Sequence, residues 1–274
     1  MSHIEQNIGN HNFKFHEVLH QNLMKLRKAN RNDWDFKILV SGDGMTRTGK
    51  TTIASQIALV LDETTDLSRV IFRGNKLIER SLEAGKNKAI IYDEAKEGLD
   101  SKKAMNSYSQ KLTDYFSECG WLNQFLIVVL PEFFDLNKTV ALNQSICLIN
   151  CYARDGFNRG YFGFYNRKDK RYLYIKGKKY NNYQCQSPSF DGTFTKYFPF
   201  DLDEYNKLKI DNQRTNEIED VKPKHTQLSK KYSVYLQKLQ SHLSEHQGWT
   251  QRKFAGVSGM TKSSVSRLGE KEIE

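Results

Sequence analysis

Residues 44–51 read Gly44-Met45-Thr46-Arg47-Thr48-Gly49-Lys50-Thr51, a complete G-x-x-x-x-G-K-T run, and no other stretch of this chain restricts its fold so tightly. Lys37-Ile38-Leu39-Val40 before it is a short apolar run that predicts a strand, and Thr51–Leu61 after it predicts a helix. A strand, a glycine-bearing loop and a helix in that order form a cradle for a polyphosphate: glycines let the backbone come close, and the helix start aims free N–H groups at the anion. The expected nucleotide contacts are Gly44, Met45, Thr46, Arg47, Thr48, Gly49, Lys50, Thr51 and Thr52. Lys50 is expected to reach the β- and γ-phosphate oxygens, and the Thr51 hydroxyl to sit on Mg²⁺.

Lys88-Ala89-Ile90-Ile91-Tyr92-Asp93-Glu94 is an apolar strand that ends in two carboxylates, the Walker B pattern. Strands commonly end in an acidic surface turn, so the motif is weak alone. Downstream of an intact phosphate loop the reading changes, because a buried parallel strand delivers its C-terminal residues to the nucleotide crevice. Asp93 then holds Mg²⁺ through its water shell, and Glu94 polarises the water that attacks the γ-phosphate. The Asp-Glu pair resembles the additional-strand, catalytic-glutamate branch of P-loop NTPases, which includes RecA-like and AAA+ motors. That resemblance places Phe125-Leu126-Ile127-Val128-Val129-Leu130 between the phosphate-loop strand and the Walker B strand, with a polar sensor at its tip. Here the tip is Leu130-Pro131-Glu132, so Glu132 is the residue left for that role.

The chain has 274 residues, enough for one α/β domain and a small appendage. Its 38% hydrophobic and 12% aromatic content supports a real core. Cys119, Cys147, Cys151 and Cys185 form no C-x-x-C pair and are too scattered for a disulfide framework. Cys147 and Cys151 lie in an apolar run and read as small core residues. The polar start, Met1–Asn12, holds no apolar signal region, and no run approaches transmembrane length. These features point to a cytoplasmic protein without membrane association.

The net charge of +10 is unevenly spread. Cys151–Tyr180 carries nine Lys/Arg against two acids, and Val221–Leu268 nine against one. Clustered positive charge suits a polyanion, most simply DNA, although a lysine- and asparagine-rich composition alone also produces such surfaces. Gly160–Tyr165 and Arg171–Ile175 flank the basic run Asn166–Lys170 and predict a β-hairpin whose aromatics either stack bases or face the core. Arg154 and Arg159 are candidate arginine fingers for a neighbouring subunit in a homo-oligomer.

Gln251–Leu268 resembles a helix-turn-helix. Ala255 permits close helix crossing, Gly259 suits the turn, and Phe254, Met260, Val265 and Leu268 supply the small core. Thr261 caps the second helix, leaving Lys262, Ser263, Ser264, Ser266 and Arg267 for bases and phosphates. Leu228–Leu243 would be the supporting helix, and protein contacts are the other use of such a hairpin.

The expected fold is therefore α/β, a P-loop NTPase with a mainly parallel sheet flanked by helices, a β-hairpin extension and a small all-α helix-turn-helix module. Its expected divisions are 1–35, an N-terminal helical segment with an amphipathic helix over Phe13–Lys28; 36–185, the nucleotide core with hairpin; 186–225, an irregular segment and linker; and 226–274, the helix-turn-helix. Residues 36–175 resemble additional-strand P-loop ATPases of phages and mobile elements, including the zonula-occludens-toxin-like group, though without that group's membrane span. The resemblance implies an Mg-ATP-dependent oligomeric ATPase acting on DNA, as a translocase, packaging enzyme or loader. The alternatives are an ATP-switched DNA-binding regulator or replication initiator with little turnover, and a small-molecule kinase, against which Glu94 argues.

Overall fold

A computed structural model describes residues 2–95, 99, 107–155, 157–220 and 250. The chain divides into two compact units, Met1–Asn212 and Gln213–Glu274. The expected helix-turn-helix, with Lys262, Ser263, Ser264, Ser266 and Arg267, lies outside the described residues.

The first unit is built on a seven-stranded sheet. In chain order its strands are β3 (Phe36–Gly42), β4 (Val70–Ile71), β5 (Ala89–Tyr92), β6 (Phe125–Glu132), β7 (Cys147–Arg154), β8 (Asn158–Tyr165) and β9 (Phe190–Thr193). Across the sheet the order is β4-β5-β6-β3-β7-β8-β9. The first five run parallel, and β8 and β9 continue antiparallel. β6 lies between the Walker B strand β5 and the phosphate-loop strand β3, as the resemblance implied.

Strand alternation divides the core into two layers. Ile38, Val40, Ile127 and Val129 face one side, while Leu39, Leu126, Val128 and Leu130 face the other. The first layer is covered by α2 (Lys50–Leu61), which is buried from Ile53 to Leu61, and by α1 (Glu17–Asn30). The second is covered by α3 (Gly74–Ala84) through Leu77, α4 (Ser107–Glu118) through Leu112 and Phe116, and α5 (Arg167–Gly177) through Leu173 and Tyr174. Cys147 and Cys151 are buried on β7, and burial pushes both thiols up to about 12. All four cysteines are free.

Three expectations change. The N-terminal segment opens with a hairpin, β1 (His3–Ile8) and β2 (His11–His16), before α1 begins at Glu17. Gly9, at φ +55°, makes the tight turn, and Phe13 and Phe15 alternate into the core around exposed Lys14. His16 caps α1, its Nδ1 accepting from Leu19 N at 3.3 Å. The second change is that the β-hairpin with a basic tip does not form: 167–177 is the helix α5. Asn166 accepts from Lys168 N and Asp169 N at 2.8 and 3.0 Å, a strong helix start, and the buried positions Lys170, Leu173, Tyr174 and Gly177 follow a helical period. β8 pairs instead with β7 and β9. Finally, 186–225 is not wholly irregular, since it contains β9 and α6 (Leu202–Asp220).

Lys170 anchors α5. It is fully buried, and its Nζ donates to Ala141 O, Ser145 O and Ser145 Oγ at 2.5, 2.7 and 2.5 Å. Burial lowers its pKa to about 8, which leaves it charged at neutral pH. Lys170→Met keeps the stem but removes the charged donor from Ala141 O, Ser145 O and Ser145 Oγ, of which Ala141 O and the hydroxyl keep only their mutual 3.2 Å hydrogen bond and the hydroxyl's bond to Val140 O. It is expected to cost about 2–4 kcal/mol of unfolding free energy, read as a lower urea midpoint at unchanged slope.

Candidate functional site

The crevice lies at the carboxyl ends of the parallel strands, where an α/β sheet presents ligands to its loops. β3 ends at Gly42, and the chain wraps through 43–49 into α2. Gly49 is the residue before the helix, at φ +92°, and a Cβ there would come within 2.7 Å of the Phe194 ring. Both the conformation and the close approach require glycine. No side chain caps α2, so its first N–H groups face the loop interior with the positive end of the helix dipole behind them.

Lys50 turns back into this loop, its Nζ donating to Met45 O at 2.7 Å and Thr48 Oγ1 at 3.3 Å. Burial draws its pKa below the ordinary lysine value, offset in part by Asp43, Asp93 and Glu132 among its negative neighbours. The Thr51 hydroxyl donates to Asp93 Oδ2 at 3.0 Å. Asp93 is 2% exposed, and burial raises its pKa against the pull of hydrogen bonds from Tyr205 and Thr51 and of the Lys209 charge. Glu94, the next residue, adopts φ +57°, an uncommon conformation for a side chain of its size that costs about 1–3 kcal/mol. Its N–H donates to Asp93 Oδ1 at 2.9 Å, and Ala95 N then donates to Val129 O at 3.1 Å. The tail of β5 is thereby tied to the tip of β6, with both carboxylates set beside the loop.

A cavity of about 510 Å³ joins these parts. All nine residues from Gly44 to Thr52 line it, together with Asp93, Glu94 and the β6 tip at Val129, Leu130 and Pro131. Glu132 does not line it. Its Oε1 lies 2.5 Å from the Tyr183 hydroxyl and accepts from Phe134 N at 3.3 Å, and burial raises its pKa. Arg154 and Arg159 are exposed at the β7–β8 end of the sheet and are also outside the lining. The Arg154 guanidinium lies 4.6 Å from the Tyr161 ring centroid and donates to Tyr152 Oη at 3.1 Å.

Sequence reasoning missed the far wall. The Tyr205 hydroxyl donates to Asp93 Oδ2 at 2.6 Å, and Lys209 Nζ pairs with Glu94 Oε1 at 2.8 Å. Spaced four apart, both lie on one face of α6. The one local signal that could have marked the helix start is Asp201, a capping residue type whose Oδ1 accepts from Glu204 N at 2.8 Å. The tertiary contact had no local signal.

This donor set suits a polyphosphate: a helix N-terminus, a half-buried ammonium and a loop of backbone N–H groups. The Thr51 and Asp93 oxygens suit a hard divalent cation. Among the described residues no three His, Cys, Asp or Glu side chains cluster closely enough to hold a metal by themselves. A cation at Thr51 and Asp93 would therefore complete its shell with phosphate and water oxygens, the habit of Mg²⁺.

The mainly parallel sheet, with β6 inserted between β5 and β3 and the G-x-x-x-x-G-K-T loop joining β3 to α2, fits a P-loop NTPase fold. No protein-family model matches the chain, and no curated protein matches it. Among solved structures it is similar to the genome packaging NTPase B204 from Sulfolobus turreted icosahedral virus 2. The complex with ATP-gammaS is 15% identical over 51% of this chain and 95% of that one, with a TM-score of 0.36. The sulfate complex is 13% identical over 62% and 100%, with a TM-score of 0.37. No helix among the described residues is long and apolar enough to cross a membrane.

Proposed function

We propose that this chain is an Mg-ATP-dependent ATPase that works as a homo-oligomer on DNA, of translocase, packaging or loader type. The observation that carries the reading is the convergence of Thr51, Asp93 and Glu94 beside the Lys50 loop. Gly44 to Thr52 would hold the phosphates, with Lys50 on the β- and γ-oxygens; Thr51 and Asp93 would hold Mg²⁺. When bound, that ion supplies positive charge to the phosphate oxygens. Glu94 accepts a proton from the attacking water and fixes its orientation. Arg154 and Arg159, exposed at the site end of the sheet, are available to a neighbouring subunit. DNA contact at the expected helix-turn-helix rests on sequence: Lys262, Ser263, Ser264, Ser266 and Arg267, with basic charge clustered across Val221–Leu268.

A second reading, an ATP-switched DNA-binding regulator or initiator, is favoured by α6. This helix touches both Walker B acids through Tyr205 and Lys209, and it runs on in the chain toward the C-terminal unit. A change at the nucleotide would thus reach the segment that leads to the expected DNA module.

ATP turnover measured with and without duplex and single-stranded DNA, alongside the mass of the assembly, separates the readings. The ATPase releases phosphate to water at a rate that DNA raises, and it assembles with ATP. Tight ATP binding with little turnover in every condition selects the regulator. Transfer of the phosphate to a small acceptor overturns both.

A further inference from the structure

We propose that the outer face of α5 is a nucleic-acid docking surface, with cations for the phosphate backbone and tyrosines for unpaired bases. The inference rests on the DNA reading above and assigns part of that contact to the first unit, apart from the expected helix-turn-helix.

Arg167, Lys168, Arg171, Lys176 and Lys179 are all exposed on α5 and the turn that follows it. Among the described residues none of the five pairs with a carboxylate. The one acid of the helix is engaged elsewhere: Asp169 Oδ2 accepts from Asn166 Nδ2 at 2.8 Å and Ser189 Oγ at 2.6 Å. Arg167 and Arg171 are four apart, and Lys168 and Arg171 three apart, spacings at which like charges on a helix repel. The fold gains little from this arrangement: Arg167 donates to Asn143 O at 3.4 Å, but α5 is held by its opposite face, through Lys170, Leu173, Tyr174 and Gly177. An external polyanion is the partner that relieves the repulsion.

The same surface exposes rings. Tyr172 is 44% and Tyr180 74% exposed, with Lys176 and Lys179 ammonium groups 5.5 and 5.0 Å from their respective centroids. Rings bordered by cations form a platform on which bases stack while lysines meet the adjoining phosphates. A membrane surface fits less well. Ile175 is the one exposed aliphatic side chain of the helix, whose apolar stripe is spent on the core, whereas an interfacial helix needs a wide apolar face to bury. The eleven residues of α5 span about 16 Å, room for several successive phosphates of a strand.

The test uses the full chain with labelled single-stranded and duplex oligonucleotides, followed by fluorescence anisotropy across a salt series. The triple variant Arg171→Gln, Lys176→Gln and Lys179→Gln removes three charges while keeping long side chains. It is expected to weaken binding about tenfold or more at low salt and to reduce the slope of log affinity against log salt by about 2–3. Tyr172→Ala with Tyr180→Ala should weaken single-strand binding by about fivefold to a hundredfold per base lost and leave duplex binding nearly unchanged. A control, Lys14→Gln, Lys25→Gln and Lys28→Gln, removes equal charge from exposed positions on β2 and α1. ATP turnover without DNA should match wild type in all three. Equal loss in the control and the α5 triple variant, or unchanged binding in the triple variant, overturns the docking surface while leaving the DNA reading intact. Absence of binding by the wild-type chain to either probe defeats that reading itself. Sedimentation with anionic phospholipid vesicles that depends on the three cations, with no such dependence for oligonucleotides, would assign the face to lipid and overturn the proposal.

Discussion

Lys50→Ala is expected to abolish ATP turnover and to weaken nucleotide binding by about tenfold to a thousandfold. The ammonium already points into the loop, held by Met45 O and Thr48 Oγ1, so binding needs no costly reordering of a flexible side chain. A charge-assisted hydrogen bond contributes about 1.5–3 kcal/mol, and Lys50 has enough donors to make two to phosphate oxygens. Its effect on rate should exceed its effect on affinity, because charge builds on the transferring phosphoryl group and its bridging oxygen as the bond breaks. Alanine is a good residue for the first turn of α2, so the fold should survive, which thermal unfolding checks directly. Wild-type hydrolysis by Lys50→Ala would mean that this loop is not the phosphate site.

How much of this was legible differs by region for physical reasons. The phosphate loop and the Walker B end are local: a strand, a few special residues and a helix start carry the information, and their positions in the sheet follow. The insertion of β6 beside β3 came from family resemblance, since pairing order leaves no local trace. At α5 the signal was present and misread. Tyr172, Tyr174 and Ile175 raise strand propensity, but the Asn166 cap and the 170, 173, 174, 177 spacing of buried residues outweigh it. α6 was hidden by its mixed charge, and its contacts to Asp93 and Glu94 join residues more than a hundred apart in sequence, 112 for the Tyr205 pair. Phe194 against Gly49 is hidden in the same way: one partly buried aromatic in a stretch that also holds Phe190, Tyr197, Phe198 and Phe200 becomes part of the loop wall only when β9 closes the sheet.

Glu94→Gln should separate binding from chemistry. Glutamine has nearly the same volume and keeps the hydrogen-bonding reach, but it can neither carry the negative charge nor take a proton from water. ATP binding is expected to stay close to wild type while turnover falls by about a hundredfold to ten-thousandfold, the range for losing a general base. Two features bear on how cleanly that reads. The backbone at Glu94 lies at φ +57°, where glutamine and glutamate are similarly disfavoured, so the substitution leaves the local strain in place. The ion pair with Lys209 is lost, but its partners' side chains are 33% and 43% exposed, and a pair in that setting contributes about 1 kcal/mol or less. Neither effect approaches the expected loss of rate. If ATP holds subunits together, the variant should also accumulate as a stable assembly, because hydrolysis no longer resets the contact. Arg154→Ala and Arg159→Ala probe that contact from the other side. A finger variant should lose turnover yet bind nucleotide, and mixing it with Lys50→Ala subunits should restore part of the rate, since each partner supplies what the other lacks. Normal turnover by Glu94→Gln would move the base elsewhere. Glu97, which lies outside the described residues, and Glu132, close beneath the loop with its pKa raised by burial, would be the next carboxylates to replace, and the resemblance to the catalytic-glutamate branch would fall with the assignment.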